Sequence, residues 1–256
     1  MTARARLSEL AIGMIPILLL LGLWQYITAF QIAPPTLLPP PGLVFARFVN
    51  LLGDPVFLGH AATTLYRLFW GFGLAVIVGV SLGIAAAGSP VIGALIRPLV
   101  RVLAPVPKIA LYPAFILTLG FDHSSKIALV FADALFPILL ATYQGAISVE
   151  PKLVWSARAM GVSRFKSLFT VVLKAALPSI LTGCRISLVI SCIVVFLSEM
   201  ISSTDGLGHL LVRAARNFQT VDMFVPIIAI SALGLILNAA FNALRAWLLV
   251  GFPEEN

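Results

Sequence analysis

The chain has 256 residues, 60% of them hydrophobic, with 17 basic and 10 acidic side chains and a mean hydropathy of +1.06. A soluble domain carries about 25% charged residues against the 11% found here, which excludes a water-soluble globular protein. Six membrane spans of about 20 residues would use roughly half the chain and leave no room for a separate soluble enzyme domain, so the net charge of +7 reads as loop charge that sets orientation, not as a nucleic-acid footprint.

The first span is expected at 10–30. Arg4 and Arg6 precede it as in a signal peptide, but Trp24, Gln25 and Tyr26 stand where small residues would mark a cleavage site, so it reads as a retained anchor. Pro34, Pro35, Pro39, Pro40 and Pro41 then force an extended connector, and the apolar stretch 43–52 is too short to cross and reads as interfacial. The second span, 68–87, is uncharged. Gly71, Ala75, Gly79, Gly83 and Ala87 recur every fourth residue along it, a stripe for close helix contact either within one subunit or at a dimer seam.

The third span, 99–119, contains Pro105, Pro107 and Pro113 and should kink or begin late. A fourth span follows at 126–146, then a polar segment, 150–174, carrying Lys152, Arg158, Arg164, Lys166 and Lys174. The fifth and sixth spans are expected at 176–197 and 224–249. With a cytoplasmic N-terminus, 12 of the 17 basic residues fall on the cytoplasmic side or at adjacent helix ends and 5 outside, so both termini and the 150–174 segment are expected in the cytoplasm. Cys184 and Cys192 lie about 12 Å apart along one helix, too far for a disulfide.

Several chemistries are missing. No lysine closes a glycine-rich phosphate loop, and His60, His123 and His209 are isolated in loops or at span ends, with no H-E-x-x-H pair. Neither catalytic nor metal-binding residues are therefore expected, and the chain is not read as an enzyme. Within 150–174, Pro151 suits a first helical turn with Ser148 or Glu150 near its cap. Gly161 suits a stop, and Ser163 can cap a second helix. A structured basic loop of this length exceeds what a connector needs and suggests a docking site.

On these residues the sequence resembles the permease subunits of ATP-binding-cassette importers. Their cytoplasmic loop reads E-A-A, three residues, Gly, nine residues, then I-x-L-P; here Trp155-Ser156-Ala157 occupies the first element, Gly161 the second, and Val171 and Leu173 the last, with Lys174 in place of the proline. Ala176-Leu177-Pro178, together with LPPP, SKIALVFADALFP and SEMISSTDGLGHLL in order, resembles the nitrate, sulfonate and taurine branch. The resemblance implies an all-α polytopic fold with six transmembrane helices and a cytoplasmic coupling helix between spans four and five. It implies that Trp155, Ser156, Ala157, Arg158 and Gly161 meet an ATPase, and that Glu199, Gly206, Leu207 and Gly208 form a periplasmic gate or binding-protein contact. The implied partners are a second permease copy, two ATPase subunits that bind the ATP and Mg, a periplasmic substrate-binding protein and the lipid bilayer of a bacterial inner membrane, and the implied cargo is a small polar or anionic solute. An ion-coupled carrier or channel without an ATPase is the rival reading.

Inside the spans, Ser187, Ser191 and Ser198 share one face, which suits a water-lined path or helix packing equally. Arg185 either snorkels to the cytoplasmic interface or contacts substrate. Asp133 is the only acid in the middle of a span, with Lys126 or Arg185 as candidate partners or a place in the pathway. Asp205 and Asp222 border the outer loop, either as solvated turn residues or as partner contacts.

Overall fold

The structure, a computed structural model, describes residues 3–252, and every regular element among them is helical. Helix α1 (Ala3–Ala29) is apolar and largely uncovered from Ile12 onward, as a helix bathed in lipid would be. Trp24 at its end donates from Nε1 to the Pro39 carbonyl at 3.0 Å, pinning the proline connector, and helix α2 (Pro41–Leu51) begins on Pro41, whose fixed φ suits a first turn. Val44 of α2 is fully buried against Phe57, Leu207 and Val225. The short helix thus packs on the bundle through one face.

Helix α3 (Pro55–Gly88) contains the expected second span, 68–87, and starts at Pro55, where Asp54 caps it by accepting from the Val56 amide at 2.9 Å. Its 34 residues extend about 50 Å, more than a bilayer of about 30 Å requires. Its small-residue stripe packs within the chain. A Cβ added to Gly71 would lie 2.6 Å from the Val130 Cβ, and one on Gly83 2.6 Å from the Thr142 Cβ, so these positions let α3 press on α6 (His123–Ile147).

The expected third span is two arms bent by 88° about a break at 104–107, the first α4 (Pro90–Leu103) and the second a short 3₁₀ turn, Lys108–Leu111, running into α5 (Tyr112–Leu119). Pro105 and Pro107 remove amide donors there, which opens the helix. Arg97 of α4 lies over the Tyr143 ring near the end of α6, Lys108 is level with Asp133 in its middle, and α5 ends beside its start. The two arms therefore run the length of α6 once, in the opposite direction.

After α6 come α7 (Pro151–Ala159), α8 (Arg164–Ser167), a π-helical turn (Leu168–Val172) and α9 (Leu173–Ala175). Then follow α10 (Leu177–Ile201), α11 (Leu207–Arg216) and α12 (Thr220–Leu248). Among the described residues five helices are long and apolar enough to cross a membrane, and six crossings result where the bent pair counts as one span. The core lies where α6 is clasped between α3 and α10, through Ala75, Ala134, Ile138, Ile180 and Cys184 in one cluster and Leu68, Leu129, Val130 and Val195 in another.

Candidate functional site

The densest polar cluster forms where α3, α6, α10 and α11 meet at one end of the bundle. His60, Thr64 and Arg67 follow i, i+4, i+7 on α3 and so share a face. Arg67 is 2% exposed, and its guanidinium donates to Glu199 Oε1 at 2.8 Å, to the Asp205 carbonyl at 3.2 Å, to the Asp205 carboxylate, and from Nε to His123 Nδ1 at 3.1 Å. The Glu199 carboxylate is buried and also accepts from the Thr64 hydroxyl at 2.9 Å and the Gly208 amide at 3.1 Å. Thr64 Oγ1 in turn accepts from the Leu207 amide at 2.9 Å, and His60 Nδ1 accepts from the Gly206 amide at 3.0 Å. One cation, two carboxylates and the amides of three successive residues thereby fasten the α10–α11 loop to α3 and α6.

The two glycines of the loop are required by that closeness. Gly206 has φ +96°, and a Cβ there would overlap the Glu199 carboxyl group; one on Gly208 would overlap the Phe196 carbonyl oxygen. Burial alone would raise Asp205, but the Arg67 hydrogen bond and charge, with the Ser203 hydroxyl, together hold its carboxyl below the usual range. The sequence isolates the three histidines; the fold does not. His60 and His209 stack with ring centroids 6.1 Å apart, and His123 supports Arg67. Arg67 itself was missed, although its place one helix face along from His60 and Thr64 was a readable signal. Asp222 lies apart from this cluster, paired with Arg47 of α2 at 2.7 Å.

About 36 Å away, at the other end of α6, lies the basic segment. Gly161, at φ +85°, turns the chain after α7, and Ser163 caps α8 by accepting from the Lys166 amide at 3.3 Å. Ala157 is buried, Ser156 and Arg158 are exposed, and Trp155, Met160 and Phe165 are 64%, 78% and 73% exposed. Three large apolar side chains on a basic surface segment have no cover within the chain.

Among the mid-span groups, Asp133 has a partner other than the two the sequence suggested. The partner of Asp133 is Lys108 at the α4–α5 break, with Nζ 4.0 Å from Oδ1, 4.7 Å from the Phe136 ring centroid and 2.6 Å from the Ala104 carbonyl. Lys126, one of the partners expected, instead donates to the Phe121 and Asp122 carbonyls at the start of α6, and Arg185, the other, bonds Asn238. Ser187 and Ser191 are fully buried, donating to the Ala134 carbonyl and the Ser187 carbonyl, each at 2.8 Å. Ser198 donates to the Val195 carbonyl at 2.7 Å. All three hydroxyls are consumed inside the packed bundle.

Comparison with known proteins gives a consistent result. Residues 75–249 match the family described as the binding-protein-dependent transport system inner membrane component. The taurine transport system permease TauC of Escherichia coli is 31% identical over 94% of this chain and 89% of its own length. The formylaminopyrimidine transport permease ThiX of Halalkalibacterium halodurans is 30% identical over 91% of this chain and 92% of its own. In structure, a chain of the MetNI methionine transporter, solved in inward-facing conformations, superposes with a TM-score of 0.67 over 75% of this chain and 96% of its own at 15% identity.

Proposed function

Since the chain belongs to the binding-protein-dependent inner membrane components, the permease subunits of ATP-binding-cassette importers, we propose how its parts divide the work. It is a transport subunit and not an enzyme, and the separate ATPase hydrolyses ATP. Membership of that family displaces the ion-coupled carrier as a reading. The uncovered Trp155, Met160 and Phe165 around a basic helix and turn carry the assignment of α7 as the coupling helix, seated with Arg158 in a groove of the ATPase. Buried apolar side chains supply the hold, and the turn at Gly161 sets the angle at which a push on α7 reaches α6 and α10.

With six crossings both termini lie on one side, and the basic residues Arg4, Arg6, Lys152, Arg158, Arg164, Lys166 and Lys174 on that side support its assignment to the cytoplasm of a bacterial inner-membrane protein. The clasp at Arg67, Glu199 and Asp205 then faces the periplasm, where a substrate-binding protein delivers a small polar or anionic solute. A second copy would face the exposed Ile186, Val189 and Ile193 of α10 across the space they line, giving a homodimer with the pathway between the copies.

Gly161→Val tests the coupling assignment. Nothing lies within 4 Å of a Cβ there, so the variant acts only through a backbone conformation that a β-branched residue resists, at roughly 1–2 kcal/mol. Membrane-inserted protein should persist while ATPase co-purification or transport-coupled hydrolysis falls. Wild-type assembly and hydrolysis would refute it.

A further inference from the structure

A hollow of 970 Å³ lies between α10 and α12. Its wall is apolar except at Thr182, Arg185, Cys192, Ser231, Asn238 and Arg245, and no carboxylate among the described residues lines it. Arg185 stands about 12 Å along α10 from Leu177, within the apolar span. Its Nε donates to Asn238 Oδ1 of α12 at 3.1 Å, which fixes one edge of the guanidinium. The two terminal nitrogens make no hydrogen bond or ion pair with another side chain or carbonyl among the described residues.

Arg185 brings a positive charge into the hollow with no carboxylate beside it among the described residues, and a charge at this depth is tolerated only beside water, protein or a counter-ion. A guanidinium tethered through Nε keeps its terminal nitrogens free to hold two oxygens of one anion. The bond to Asn238 draws Arg185 across toward α12, which argues against a side chain that simply reaches back to the membrane surface. Asp133, whose bare charge would oppose an anion, is paired with Lys108 and does not line the hollow.

We propose that Arg185, oriented by Asn238, is a contact site for a small oxyanion solute, a sulfonate or carboxylate, as it passes through the hollow. This rests on the permease reading above. It assigns Asn238 a positioning role and Arg185 the charge recognition.

The test uses the assembled importer with Cys184 and Cys192 changed to alanine and Val189→Cys introduced one turn from Arg185 on the same wall. Modification by a sulfonate-bearing and a trimethylammonium-bearing methanethiosulfonate is timed, each rate divided by that on a free thiol. The sulfonate reagent should react faster by about tenfold, the effect of one unit charge at about 6 Å in a water-like medium on reagents of opposite sign. Arg185→Gln should remove most of that preference, Asn238→Ala should reduce it, and ethanesulfonate should slow labelling only where Arg185 is present. Equal corrected rates, no labelling by either reagent, or a preference that survives Arg185→Gln would overturn the site.

If protection of the thiol introduced by Val189→Cys vanishes on removal of anionic phospholipid and ethanesulfonate has no effect, the occupant is a lipid headgroup and the solute site is wrong. ATP hydrolysis in the same preparation separates the two levels. Normal coupled hydrolysis without charge preference overturns the site alone, whereas failure to assemble with an ATPase overturns the permease reading and takes the site with it.

Discussion

Replacing Arg67 with methionine keeps much of the side-chain volume and removes the charge that holds the outer clasp. Glu199, at 1% exposure, would then keep only Thr64 and the Gly208 amide as donors, and Asp205 would lose its guanidinium partner. Breaking a buried pair by deleting one partner costs about 3–5 kcal/mol, because the remaining charge stays out of water. At roughly 2–4 °C per kcal/mol for a chain of this size, the apparent Tm should fall by about 10 °C or more. Adding Glu199→Gln removes the orphaned charge while an amide can still accept from Gly208, so the double variant should recover a large part of the loss. The coupling between the two sites should be about 2–3 kcal/mol. The assay is thermal unfolding of the purified permease in detergent, with the four variants of the cycle measured side by side. A loss below about 1 kcal/mol in Arg67→Met, or strict additivity with Glu199→Gln, would refute the idea that the pair holds α3 to α10.

The remaining expectations concern charge and topology. Asp205 has its carboxyl held below the ordinary aspartate value, so its contribution is complete above about pH 4 and is lost as the pH falls through the lower folded value. Wild-type stability should therefore drop more steeply below about pH 4 than that of Asp205→Asn; parallel curves would show that Arg67 does not hold this carboxylate in solution. Asp133→Asn leaves Lys108 with the Ala104 carbonyl and the Phe136 ring alone and should lower stability, and Lys108→Met in the same chain should restore part of it. Additive losses would show that the two charges do not meet. Cysteines at Phe121 and Phe218, which are 71% and 92% exposed, should react with an impermeant reagent from outside, whereas one at Met160 should react only in opened cells. Labelling at 160 in intact cells would reverse the orientation.

Composition alone established a polytopic helical protein, because a chain with 11% charged residues has no aqueous fold that could bury the rest. Local punctuation was equally readable. Pro151, Gly161 and Ser163 act within a few residues of themselves, and they appear in the structure as a first helical turn, a left-handed stop and a cap. The small-residue stripe on α3 announced a close helix contact, but its partner, α6, came only from the tertiary structure. Periodicity names a face and never what lies against it.

The clasp was beyond the sequence for the same reason. Arg67 and Glu199 are 132 residues apart and Arg67 and Asp205 138, so only the fold brings their opposite charges together. Glu199, Gly206 and Gly208 stood out by resemblance. That the Glu199 carboxylate occupies the space of a Gly206 Cβ, and the Phe196 carbonyl that of a Gly208 Cβ, is a fact of packing. Hydropathy scores Thr64 and Arg67 as polar residues facing water, whereas the folded chain buries them by bonding them to Glu199, Asp205 and His123. The partner of Asp133 was likewise sought along its own helix and on α10, and it lay on the broken span, because the 88° bend carries Lys108 to the middle of α6. Local sequence decides where a helix begins, stops and presents its small side chains; which charges neutralise one another is decided only when helices distant in sequence are packed.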